Sequence, residues 1–107
     1  MNRVESSRDR AVREATIEQS DLPAGEPYLL KKPIPVRMMR GSELDFTANF
    51  DDAGVSIGGE SCHDAFEALV NEILDAFDYL AEHQAELGQE PQRQLTVLRT
   101  YLGKTND

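Results

Sequence analysis

The chain has 107 residues, 39% of them apolar, a single cysteine and a formal net charge of −9 at neutral pH. That length allows one domain with a tail or two. A lone Cys62 excludes an internal disulfide framework and a zinc ribbon. No apolar run is long enough to cross a bilayer, and the N-terminus is polar rather than charged and then apolar, so the expected location is cytoplasmic.

Taken in order, residues 1–20 mix Arg, Glu, Ser and Gln, with only Val4, Val12, Ala15 and Ile17 in a thin helical stripe. They read as a weak helix or a mobile arm, and the arm is taken to run to residue 27. Pro23, Gly25, Pro27 and Pro33 then forbid a helix over 21–33. Tyr28, Leu29 and Leu30 could lie across the core as an edge segment. Ile34, Val36 and Met38 alternate with Pro35 and Arg37, which gives a first strand, with Pro35 at its start or on an unpaired edge. Gly41-Ser42 is expected as the hairpin turn to the next strand.

From Glu43 to Phe50, Leu44, Phe46, Ala48 and Phe50 alternate with Glu43, Asp45, Thr47 and Asn49, the pattern of a half-buried strand. Asp51-Asp52-Ala53-Gly54 supplies a turn, Val55-Ser56-Ile57 alternates again, and Gly58-Gly59 ends that strand. Ser61 with Asp64 three residues on resembles a capping box at a helix start. Phe66, Leu69, Val70, Ile73, Leu74, Phe77, Leu80 and Ala81 then repeat at three and four, the stripe of an amphipathic helix. Leu87-Gly88 reads as its end, with the glycine left-handed. Pro91 suits the first turn of a shorter second helix, carried by Leu95, Leu98 and Leu102 and closed by Gly103 and Lys104.

The expected fold is therefore α+β: a three-stranded antiparallel sheet packed by one long amphipathic helix, followed by a short C-terminal helix. Its divisions are an arm over 1–27, a core over 28–88, and a helix and tail over 89–107. A core of about 60 residues is marginal by itself, which favours oligomerisation or a partner.

Charge is unevenly distributed. Residues 41–90 hold 13 Asp and Glu and no Lys or Arg, whereas residues 1–40 hold eight Lys and Arg against six acids. An acidic unit repels nucleic-acid phosphate and attracts basic proteins; the plainer reading is a solvated helix face.

The stretches I-P-V-R, L-D-F-T-A-N-F-D-D-A, V-S-I-G-G-E-S and D-A-F-E-A-L-V-N-E-I-L-D-A-F-D-Y-L, over roughly residues 34–83, resemble the HicB family of antitoxins. The resemblance implies a partial ribonuclease H-like α+β domain that performs no catalysis and covers a small basic RNA-cleaving toxin. Members of that family commonly carry a C-terminal operator-binding segment. Residues 84–107 leave room for one short helix, so no DNA-binding motif is evident.

Candidate chemistry is sparse. His63 and Glu67 share a helix face but have no marked third metal ligand. Cys62 lies at a helix N-terminus without a basic neighbour in sequence, and His83 suits the helix C-terminal end. Glu43, Asp45, Asp51 and Asp52 could serve a metal-dependent nuclease only if they converged; otherwise they form turns and a polar strand face. No cofactor motif is present. The resulting expectation is a non-catalytic antitoxin-type protein that meets a small basic toxin through Asp45, Asp51, Asp52, Glu67, Asp75 and Asp78. The alternative is a homo-oligomeric structural or regulatory domain built on the second helix and Leu29–Leu30.

Overall fold

The computed structural model describes residues 12–42 and 45–104. Strands β1 (Val12–Ile17), β3 (Ile34–Ser42), β4 (Asp45–Phe50) and β5 (Val55–Gly59) form an antiparallel sheet in the order β1-β3-β4-β5. Helix α1 (Cys62–Glu82) crosses one face of that sheet, chiefly over β4 and β5. Helix α2 (Gln89–Tyr101) packs beside α1. Strands β2 (Tyr28–Leu30) and β6 (Leu102–Lys104) pair with each other as a separate two-stranded ladder.

Among the described residues the sheet has four strands rather than three. The extra one is β1, in the segment expected to be a mobile or weakly helical arm. Its alternation is weak because only Ala15 and Ile17 are apolar on the inner face, beside Arg13. Pairing with β3 decides the matter: Ala15 lies opposite Val36 and Ile17 opposite Ile34, in a register from Val12–Met39 to Ile17–Ile34. The arm's first 11 residues lie outside the described residues. Pro35 sits near the start of β3, where β4 has already ended, so its missing N–H removes no bond to β4.

The β3–β4 hairpin also differs from the sequence reading. Gly41 and Ser42 belong to β3 rather than to a turn, and that strand carries a register shift between Arg40 and Ser42; Glu43 and Leu44, expected at the start of the next strand, lie outside the described residues. The β4–β5 connection is a 3-10 turn, Asp51–Ala53, closed by Gly54 at φ +69°, a left-handed conformation that glycine adopts without steric cost.

Register places Ile17, Ile34, Val36, Met38, Ala48, Phe50 and Val55 on one face, and all are buried. They meet Ala65, Leu69, Val70, Ile73, Leu74, Phe77 and Leu80 of α1 and Leu95, Leu98 and Tyr101 of α2. Phe50 and Tyr101 pack edge-to-face, ring centres 5.1 Å apart. The stripe of α2 is thus spent inside this chain.

Ser61 caps α1, its side chain accepting from the Asp64 amide at 3.0 Å. The strand-to-helix junction is tight: a Cβ on Gly59 would stand 2.5 Å from the Ala65 backbone nitrogen. The helix ends at Glu82 with His83 as its C-cap, not at Gly88. Gly88 instead serves as the N-cap of α2 in extended conformation, and Pro91 lies in that helix's first turn as expected. Leu102–Lys104 leave the helix as β6, bringing Lys104 opposite Tyr28.

Candidate functional site

The six acids singled out from the sequence do not form one surface. Asp45 and Asp51 stand at opposite ends of β4, six residues apart, so roughly 20 Å of extended chain separates them. Asp51 is held by Arg37 in a two-pronged pair, 2.8 and 2.9 Å. The guanidinium hydrogen bonds keep the Asp51 carboxyl below the usual carboxylate range. Asp52 accepts from the Tyr101 hydroxyl at 2.9 Å, and its carbonyl accepts from Arg93 at 3.1 Å. These two carboxylates staple the β4–β5 turn to β3 and α2. Their nuclease reading would require convergence, and among the described residues no group of three or more His, Cys, Asp or Glu gathers around a common point.

Asp78 is likewise engaged. It accepts from the Tyr28 hydroxyl and pairs with Lys104 at 3.0 Å, joining α1 to the β2–β6 ladder. Burial, and then the hydrogen bond to Asp78, push the Tyr28 phenol far above its ordinary value. Burial and Asp52 act the same way on Tyr101. The ladder is the basic end of the molecule: Lys31 donates to the Arg99 carbonyl at 2.9 Å, and Lys32 lies over the Tyr101 ring.

Glu67 and Asp75 remain exposed, on different flanks of α1. Glu67 lies 3.3 Å from His63 and borders a cleft of about 490 Å³ with Ser20, Asp21, Pro23 and Phe66. Asp75 borders a cleft of about 440 Å³ on the β5 side, with Val55, Ser56, Glu72, Tyr79 and Gln94. Neither Glu72 nor Asp75 makes a hydrogen bond or ion pair with another described residue. Tyr79 is 59% exposed and stacks on His83, ring centres 4.2 Å apart. Acidic charge alone does not single out Glu72 among the 13 acids of residues 41–90, nor Tyr79 at all. The available signal was helical spacing: 72, 75 and 79 lie on one side of a helix.

That flank adjoins β5, which among the described residues is bonded to β4 only. The strand reads Val-Ser-Ile-Gly-Gly and carries no charge, no proline and no register shift. The other sheet face is uncovered by either helix, and a polar chain crosses it: Ser56 donates to Asn49 at 2.6 Å, and Asn49 donates to the Arg37 carbonyl at 2.9 Å.

Comparison of the chain with protein-family models, with curated proteins and with solved structures finds no match. No helix among the described residues is long and apolar enough to cross a membrane.

Proposed function

We propose that the chain is a non-catalytic binding protein of antitoxin type that neutralises a small basic RNA-cleaving protein by direct contact. The observation that carries this reading is the flank of α1 beside β5. There Glu72 and Asp75 are exposed and unengaged, next to a protruding Tyr79, on a helix that has no Lys or Arg over its 21 residues. Unengaged acids on a rigid helix attract a basic surface and speed its approach, while the adjoining apolar surface sets how long it stays. The strand, strand, strand, helix order of β3, β4, β5 and α1 agrees with the resemblance to HicB antitoxins. Of the six acids expected at the contact, Asp75 is unengaged, Glu67 is exposed beside His63, and Asp45 is exposed at the far end of β4. Asp51, Asp52 and Asp78 act first as internal fasteners.

The rival reading, a homo-oligomeric regulatory domain, draws on Leu29, which is 45% exposed. Its other half is weakened by the burial of Leu95 and Leu98 inside the same chain.

The test is functional. The full chain is used to isolate its partner from the native cell, and RNA cleavage by that partner is measured with and without the chain. Stoichiometric suppression of cleavage by a small basic protein is the expected result. A chain that recovers only itself, at the mass of a dimer, would sink the antitoxin reading and leave the oligomeric one.

A further inference from the structure

We infer that the free edge of β5 is a strand-acceptor site for an extended, basic segment of the partner protein; the inference deepens the binding reading above and rests on it. An edge strand presents every second backbone N–H and C=O outward, and these groups can be satisfied by an added strand. Folded proteins commonly blunt such an edge with a charged residue, a proline or a bulge. β5 has none of these. Gly58 is exposed on it and leaves the approach to the backbone open.

What borders the edge selects the occupant. The charged side chains of the adjoining cleft are Glu72 and Asp75, its remaining polar members are Ser56, Tyr79 and the neutral Gln94, and Glu60 follows the strand end. A second copy of the chain, paired edge to edge about a two-fold axis, would set this acidic flank against itself, and like charges across a contact oppose it. Nucleic acid would meet the same repulsion. A basic strand meets neither obstacle. In an added strand, alternate side chains point to the same face. Lysine or arginine at every second position would lie over Glu72 and Asp75, with an arginine able to stack on Tyr79. The intervening side chains would fall over Ser56 and Gly58, where the surface is low, so small or apolar residues fit there.

The test uses the full, isotope-labelled chain and a defined probe, the heptapeptide Lys-Val-Lys-Val-Lys-Val-Lys. Two companions accompany it: the same peptide N-methylated at every backbone amide, so that neither of its edges can donate to a ladder, and its Glu-for-Lys analogue. The expected result is a set of amide shift changes and slowed amide exchange concentrated at residues 55–59. The N-methylated peptide, which cannot complete the ladder, and the acidic analogue should each bind at least about tenfold more weakly. Glu72→Lys/Asp75→Lys should weaken the probe about tenfold, and Glu14→Lys/Glu26→Lys, an equal change in net charge, should not. Binding that ignores N-methylation and maps to the Glu67 or Asp78 flank would overturn the strand-acceptor site while leaving a basic-partner function standing. Absence of binding at millimolar peptide would overturn it as well. Protection of 55–59 in a concentration-dependent dimer without peptide would assign the edge to a second copy. Neutralisation of the isolated partner distinguishes the two levels. If the unaltered chain fails to neutralise, the functional reading falls. If the Glu72→Lys/Asp75→Lys chain neutralises equally well with 55–59 unprotected, only the edge assignment falls.

Discussion

The two edges of the four-stranded sheet are guarded in different ways. β1 carries charge within the strand itself, Arg13 and Glu14, and leads into Glu18, which accepts from the Thr16 hydroxyl at 2.9 Å. A strand added there would have to match or desolvate those charges. β5 carries no charge, and its acids stand one layer away, at Glu72 and Asp75 on α1. Charge within an edge discourages any strand. Charge beside an edge admits a strand of opposite sign and rejects the rest. The edges are also held differently. β1 is pinned by the burial of Ile17, which is 1% exposed. β5 is pinned by the close approach of Gly59 to the first turn of α1.

Three changes would break or sharpen this contrast. The largest effect is expected at β1: Ile17→Ala removes a fully buried side chain that lies opposite Ile34, and should cost about 3 kcal/mol in a urea melt. Amide exchange should rise first in residues 12–17 while β5 stays protected. Equal loosening of both edges would show the sheet to be one cooperative unit and remove the contrast.

Next is Gly59→Ala. Its Cβ cannot occupy a point 2.5 Å from the Ala65 nitrogen, so β5 and α1 must part. The expected cost is about 2 kcal/mol, with faster exchange at the β5–α1 junction and little change in β1. Unchanged stability would mean that the junction yields freely and that β5 is not held by this approach.

The smallest effect is a pH dependence at the Arg37–Asp51 pair, which ties the turn before β5 to β3. Arg37 holds the folded Asp51 carboxyl below its usual range. The unfolded chain therefore takes up that proton more readily than the folded one. The pair's contribution is present above the ordinary carboxylate pKa of about 4 and fades as pH falls through the lowered value. Arg37→Met should flatten this part of the acid limb of stability against pH. Both partners are partly exposed, so screening by solvent and salt keeps the difference small. Identical acid limbs in the two proteins would show that the pair adds nothing to folding.

Much of the central unit was legible in the residues because its signals are local. The apolar stripe from Phe66 to Leu80, the Ser61 cap and the alternation at Phe46, Ala48 and Phe50 are each contained within a few residues of chain, and each appears at the expected place. The second helix was legible for the same reason, from Pro91 and the spacing of Leu95 and Leu98. The glycine of Leu87-Gly88 is compatible with either helix end, and the 3-10 turn at Gln84–Glu86 puts it at the start of α2 rather than at the end of α1.

The sequence by itself determined the periodicities: which stretches could bury a face, where α1 begins, and that residues 41–90 hold only acidic charge. Tertiary structure alone decided which distant stretches meet. β1 became a strand because β3 lay beside it, and β2 found β6 more than 70 residues away, at Tyr28–Lys104. The same long-range contacts drew Asp51, Asp52 and Asp78 to Arg37, Tyr101, Tyr28 and Lys104, and left Glu72 and Asp75 free beside an open strand edge. The physical reason is one of range. Backbone periodicity is written within a turn or two of chain, whereas strand neighbours and the pairing of a carboxylate depend on which segments the collapsed core brings together.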